Sequence, residues 1–221
     1  MPNWCRTNIT FYSKDKRQIE KFYSIMMNYE LPEEFNKINT TKNWIGNFMI
    51  CSHKDFKYED IINGKYGNTR GFIEDLSDLL YLEQKDIYYF YIYVDDAWCP
   101  HIQPFCSILQ KPEYNKIKLA YMAEEPGCEL YEKYDPESLF YDKDEYIIDS
   151  YIPDSKLYAE YPELNEIDSE PMTLQILLDT FKVDNYEKAL DKAKLITDTM
   201  QEKYDDGFCC INKIHVLEQP Y

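Results

Sequence analysis

From Ile87 to Val94 the chain reads IYYFYIYV, eight consecutive positions that are all apolar or aromatic. A helix would scatter those rings around its whole circumference, whereas an extended strand can bury them on both faces at the centre of a sheet. A central strand needs neighbours, and the chain supplies them. Trp4 to Tyr12 alternates, with Cys5, Thr7, Ile9 and Phe11 on one face and Asn8, Thr10 and Tyr12 on the other. KIKLAYMAEE and CELYEKYD read as two more strands around a Pro126-Gly127 turn.

Between these strands the apolar period becomes helical. Ile19, Phe22, Tyr23 and Met26 fall at i, i+3, i+4 and i+7, with Ser13 as N-cap and Pro32 just beyond the end. Ile102, Phe105, Cys106 and Leu109 repeat that spacing after Pro100, with Pro104 near the start. Phe72, Leu76, Leu79 and Leu80 mark a short helix before the central strand, and NWIGNFMICS reads as a short strand around Trp44 to Cys51. FKYEDIINGKYGNTRG holds three of the six glycines and reads as loop. It has no strand before it, so it is not a phosphate-binding P-loop, although Lys65 and Arg70 would allow a local anion contact.

Toward the C-terminus MTLQILLDTFKV reads as a strand, and Asp184 with Glu187 makes a capping-box-like start to a long helix. Tyr186, Ala189, Leu190, Ala193, Thr197 and Met200 form its inner face. Asp205-Asp206-Gly207 ends it, and FCCINKIHVLE is a last strand. The pattern predicts an α+β protein with helices on one face of a mainly antiparallel sheet. A ferredoxin-like βαββαβ sandwich, enlarged or duplicated, is the natural form. Residues 1–134 make the ferredoxin-like core. Residues 135–171, acidic and rich in Tyr and Pro with a strand around Tyr146 to Ile152, make an insertion or linker. Residues 172–221 make a β-α-β unit that completes the sheet.

Charge narrows the partners. Lys and Arg number 24 against 41 Asp and Glu, a formal net charge of -17. Direct binding to nucleic acid is disfavoured, because neutralising phosphates takes a positive surface. A basic protein is favoured instead, since opposite charge speeds encounter. The 22 tyrosines supply rings with a polar tip, suited to half-buried sheets and binding surfaces. Seven irregularly spaced cysteines without a CxxC, and no signal-like or membrane-length apolar run, predict a cytoplasmic protein with reduced thiols and no membrane association. Cys209 and Cys210 are neighbours in a strand and point to opposite faces, so they make poor joint metal ligands.

Two motifs in order carry a family likeness. MPNWC with Asn8 and the strand that follows resembles the opening of the YubB-like family of plasmid and phage proteins. IYVDDAWCPHIQPFCSILQKPEYNKIKLAYMAEEPGCELYEKYD resembles that family's ferredoxin-like domain, with its Trp-Cys-Pro element, helix, strand and Glu-then-Gly turn. The Trp-rich middle stretch usual in the family is reduced here to NWIGNFMICS. The resemblance implies a ferredoxin-like domain and a mobile-element origin, and it carries over no catalytic residue.

Three constellations present chemistry. Trp4, Trp98 and His101, near Asp96, Glu124 and Glu125, would floor a pocket for a ring or base, although large rings at strand ends more often plug a core. Cys99, His101, Cys106 and Cys128 are soft ligands close in sequence, but their spacing fits no standard zinc site. Asp95, Asp96, Glu124 and Glu125 close two strands. Were those strands neighbours, the carboxylates would converge to hold Mg2+ for phosphodiester chemistry. Solvated strand ends are the simpler account, and there is no GxSxG. No metal, cofactor or catalytic residue is assigned.

The expected function is therefore that of an acidic, non-enzymatic binding protein of a phage or mobile element. It would dock on a basic, nucleic-acid-handling host defence protein, such as a CRISPR effector, in the host cytoplasm and inhibit it. Carboxylates interleaved with aromatics can imitate phosphates and bases on a guanidinium-lined groove. That places the contact on Tyr131, Glu132, Tyr134, Asp135, Glu137, Tyr141, Asp142, Asp144, Glu145, Tyr151, Asp154, Tyr158, Glu160, Tyr161 and Glu163. The alternative is a small-molecule or nucleotide-binding protein, or a metal-dependent phosphodiester enzyme, using the Trp4, Trp98, His101 and Glu124/Glu125 region.

Overall fold

A computed structural model describes residues 3–28, 43–141, 143–153 and 171–220. The chain divides into two units, Met1–Phe140 with Leu217–Tyr221, and Tyr141–Val216. Among the described residues no helix is long and apolar enough to cross a membrane.

The first unit is built on strand β1 (Trp4–Ser13), whose buried Cys5, Thr7, Ile9 and Phe11 alternate as the sequence requires. It runs antiparallel to both of its neighbours, β4 (Ile87–Ala97) and β5 (Lys118–Glu125). β2 (Gly71–Leu76) and the short β3 (Leu80–Leu82) pair with the far side of β4, and β6 (Leu130–Tyr134) pairs with β5. The spatial order is β2-β4-β1-β5-β6. Register aligns Ile9 with Ile92 and Tyr121, and Phe11 with Phe90 and Leu119, in rows on one face. Helices α1 (Lys16–Asn28), α2 (Ile45–Ser52) and α4 (Gln103–Leu109) cover that face through Ile19, Phe22, Met26, Phe48, Met49, Phe105 and Ile108. The short α3 (Tyr58–Ile62) adds the buried Ile61.

Several elements differ from the sequence expectation. Asp15, not Ser13, caps α1: its carboxylate accepts from the Gln18 N–H at 3.1 Å, while the Ser13 hydroxyl accepts from the Asp15 N–H at 3.0 Å. NWIGNFMICS is helix α2 rather than a strand. Ile45, Asn47, Phe48, Met49 and Ser52 are all buried, so the segment shows no exposed face to betray its period. The expected helix at Phe72 to Leu80 is instead β2 and β3, which a bulge between Ile73 and Asp75 fits to β4. β4 is an interior strand next to the edge rather than the central one, which is β1, and only one of its faces is closed, since Phe90, Ile92 and Val94 are buried while Tyr93 is 45% exposed. The glycine-rich stretch is mostly turn, interrupted by α3.

The first unit also runs past residue 134. The turn that follows returns Phe140 to the face opposite the helices, where its ring packs on Tyr12 and Tyr89 at 5.4 Å. Residues 141–153 belong to the second unit, so the segment 135–171 is shared between the two.

The second unit pairs β7 (Tyr146–Tyr151) antiparallel with β8 (Phe208–Lys213) and packs them against α5 (Leu174–Phe181) and α6 (Tyr186–Tyr204). MTLQILLDTFKV is thus a helix, not a strand, and the C-terminal region is not a β-α-β unit. The Thr173 hydroxyl starts α5 by accepting from the Ile176 N–H, and Leu177 and Phe181, one turn apart, are its buried contacts. Asn185, not Asp184, caps α6 by accepting from the Lys188 N–H, and Asp184 pairs with the Lys188 ammonium instead. Ala189, Ala193, Ile196 and Met200 line the inner face, while Leu190 is 38% exposed. Asp205 and Gly207, both at positive φ, turn the chain into β8. There Cys209 is buried and Cys210 exposed.

Candidate functional site

The register of β1 sorts the strand-end carboxylates. Arg6 stands between Asp95 on β4 and Glu124 on β5, which places these three on one face. Asp96 and Glu125 are one residue further along and belong to the helix-covered face. With β1 between the two strands, the four acids split into two pairs and do not converge. Among the described residues no group of three or more His, Cys, Asp or Glu is arranged to hold a metal ion.

Asp96 and His101, both named from the sequence, meet. Asp96 is fully buried and His101 nearly so. One carboxylate oxygen of Asp96 accepts from the His101 backbone N–H at 3.0 Å and from the Thr7 hydroxyl at 3.2 Å. The other lies 3.2 Å from His101 Nδ1, close enough for electrostatic attraction but without the alignment of a hydrogen bond. Asp96 Oδ1, His101 Nδ1 and His101 Nε2 are therefore all buried without a hydrogen-bond partner among the described residues. His101 also lines a half-open cavity of about 400 Å³ with Asn68, Cys99, Pro100, Ile102, Gln103 and Leu130.

The local chain explains this placement. β4 ends at Ala97, and Trp98 takes a left-handed backbone, φ 76°, with its N–H donating to the Asn3 carbonyl at 3.0 Å. That turn carries Cys99 and Pro100 across the sheet end and sets His101 just before α4. Gly71, paired with Asp96 across β2 and β4, leaves room for the carboxylate.

The other residues expected around this pocket are elsewhere. Trp4 is 43% exposed and packs edge-on against Phe72 at 6.0 Å, and Trp98 is 47% exposed, so neither indole plugs the core. Trp4 shares the open face with Arg6, so it forms no ledge with His101. Glu124 shares that face too, while buried Glu125 bonds the Cys128 thiol. Lys65, from the glycine-rich loop, is paired with Asp60 at 2.8 Å.

No thiol near the dyad is activated. Burial pushes Cys5 far up, and Asp96 adds to it. Cys99 is raised by burial first, then by the charges of Asp96 and Glu132. A thiol that holds its proton is a poor nucleophile. Cys106, raised by burial to about 11, is likewise a packing residue of α4.

Of the residues expected to contact a partner, Tyr131, Glu132 and Tyr141 are buried, and the Tyr121 hydroxyl donates to Glu132 at 3.2 Å. Tyr134, Asp135 and Asp144 are half-buried, whereas Glu137, Glu145 and Tyr151 are exposed. Asp142, Asp154, Tyr158, Glu160, Tyr161 and Glu163 lie outside the described residues. Sequence reading missed Thr7, Asn68, Gly71, Gln103 and Leu130. Each is ordinary in its local context: strand pairing brings Thr7 and Gly71 to Asp96, while Asn68, Gln103 and Leu130 come from separate elements to line the cavity beside His101. No family model, no curated protein and no solved structure matches the chain.

Proposed function

We propose that this chain is an acidic, non-enzymatic binding protein of a phage or other mobile element, which docks in the host cytoplasm on a basic, nucleic-acid-handling defence protein and inhibits it. The observation that carries this reading is where the charge lies. Between 135 and 171 there are twelve Asp and Glu against two Lys, so this one segment supplies most of the net charge of -17. With 41 acids and 24 cations in the chain, internal pairing cannot neutralise the excess. Exposed Glu145 and Tyr151 offer the carboxylate and ring chemistry that a guanidinium-lined surface recognises. We further read the first unit as ferredoxin-like, which the order β2-β4-β1-β5 with helices after β1 and β4 supports.

The test is capture of partners from host lysate at low and high salt, followed by measured binding of the captured protein to an Asp142, Asp144, Glu145, Asp154, Glu160 and Glu163→Lys variant. Screening shortens the electrostatic reach from about 10 Å at 0.1 M salt to about 3 Å at 1 M. Binding should therefore fall steeply with salt and vanish in the variant, while its circular dichroism is unchanged. Full binding by the folded variant overturns the proposal.

A further inference from the structure

Against the acidic excess of the chain, the fold gathers positive charge at one end of the first sheet. The Ser13 hydroxyl at the end of β1 donates to the Lys116 carbonyl at 2.8 Å, and the Gln18 side-chain oxygen accepts from the Lys116 N–H at 3.0 Å. These bonds bring together six of the chain's 24 cations: Lys14, Lys16, Arg17, Lys21, Lys116 and Lys118. Three of them are paired, Lys16 with Glu20, Lys116 with Asp15 and Lys118 with Glu137. Lys14, Arg17 and Lys21 have no ion pair among the described residues. Two cavities of about 320 and 310 Å³ open here and share Asp15 and Lys116. Lys14 and Lys118 line the first, and Arg17 and Lys21 line the second. The remaining acid in their walls, Glu113, lies 3.6 Å from His53 Nε2.

The free cations stand where local electrostatics disfavours them. Arg17 and Lys21 are four residues apart on α1, where like charges repel, and Arg17 occupies a first turn without an acid, where the helix dipole opposes a cation. A chain with 41 Asp and Glu could have relieved both conflicts. A local rule broken in this way marks a surface that an anion completes. The helix end itself does not hold that anion, because the Asp15 carboxylate already accepts from the Gln18 N–H. A ring platform stands beside the cations. Tyr81 on β3 is 49% exposed, packs on Tyr88 with centroids 4.7 Å apart, and has its hydroxyl fixed by Asp86 at 2.9 Å. The Lys16 ammonium lies 5.5 Å from the Tyr88 ring centroid, which joins the platform to α1.

We propose that this positive end binds single-stranded nucleic acid, with phosphates against Lys14, Arg17 and Lys21 and a base on the exposed Tyr81 ring. Arg17 presents the planar fork that fits a phosphate, and the lysines add point charges. Cations beside an exposed ring suit an unpaired strand, since every base has a face that stacks, whereas a duplex keeps its bases inside. The net charge of -17 does not forbid the contact. At physiological salt charges act over about 8 Å, so a phosphate seated here responds chiefly to the cations around it. Composition disfavours nucleic acid only because it averages over a distribution that the fold makes uneven. The site needs no protein partner, so it stands independently of docking through the acidic segment.

The test follows the fluorescence anisotropy of a dye-labelled oligothymidine of about ten nucleotides, titrated with the full chain between about 50 and 200 mM salt. A strand held through about three phosphates should lose roughly 20-fold in affinity across that range. Arg17→Glu should weaken binding about 5-fold or more while leaving the melting temperature at or above that of wild type, because an acid four residues before Lys21 in the first turn is favourable. Tyr81→Ala should also weaken binding about 5-fold or more, the loss of one stacked base. Lys194→Glu, the same charge change on an exposed position of α6, should leave affinity unchanged. Should Tyr81→Ala fail to fold, Arg17→Glu, whose side chain is exposed, carries the test. Absence of binding at about 50 mM salt, equal or tighter binding of a duplex of the same length or of polyglutamate, or unchanged affinity in either folded variant overturns the proposal.

Discussion

Gly71 faces Asp96 across the β2–β4 ladder, and a Cβ at position 71 would lie 2.1 Å from Asp96 Oδ1. The absence of a side chain on one strand is what lets a fully buried carboxylate stand on the next. Gly71→Ala must push the carboxylate or the strand aside. It is expected to lose roughly 1–3 kcal/mol in urea unfolding, as overpacked sites do. The same substitution should move the His101 ring resonance, because the carboxylate that faces it is displaced. Wild-type stability in Gly71→Ala would mean that Asp96 does not occupy this position.

Phe11 is the hub of the aromatic core, with ring centroids 5.1 Å from Phe22, 5.3 Å from Phe90 and 5.7 Å from Phe105. It joins β1 to β4 and to two helices at once. Phe11→Ala should cost about 3–5 kcal/mol by chemical denaturation, the usual range for a buried ring truncated to a methyl. Phe11→Leu, which keeps most of the volume, should cost clearly less.

The second unit has a corresponding local test at Thr173, whose hydroxyl caps α5. Thr173→Ala should destabilise by about 0.5–2 kcal/mol. Hydrogen exchange at the Ile176 amide reports it directly, because that N–H loses its acceptor. Thr173→Ser should restore protection.

Asp15 gives a pH signature. Its bond from the Lys116 ammonium, and after that its bond from the Gln18 N–H, hold the carboxyl below the usual carboxylate range. A carboxyl depressed in the folded state contributes stability above its unfolded value of about 4, and that contribution is lost as pH falls through the folded value. Wild type should therefore be more stable than Asp15→Asn at neutral pH. The gap in melting temperature should close on acidification, and a pH-independent gap would exclude the charge as its source.

Much of the first unit was legible because its strands expose one face or lead into clear turns. The alternation of Cys5, Thr7, Ile9 and Phe11 placed β1, and the spacing of Ile102, Phe105 and Cys106 placed α4. Reading failed where no polar face reports a period. Trp44 to Cys51 and MTLQILLDTFKV read as strands although they hold the helices Ile45–Ser52 and Leu174–Phe181, because short apolar runs look alike in either conformation. Phe72 and Leu76 mimicked a helix by chance spacing across a bulge. At the candidate site, Asp96 and His101 could be named, but not their contact, nor the distance of Trp4 from it.

By itself the sequence determined what local periodicity and summed charge control: the alternating strands β1 and β5, the amphipathic α1 and α6, and an acidic excess that no folding can neutralise. The tertiary structure alone decided which faces meet. Placing β1 between β4 and β5 sends Asp95 and Glu124 to one side and Asp96 and Glu125 to the other and sets Thr7 beside Asp96, while the pairing of β2 with β4 sets Gly71 against the same carboxylate. Thr7 and Asp96 are 89 positions apart in the chain, and hydrogen-bond register across strands, not any pattern along the chain, brings such neighbours together.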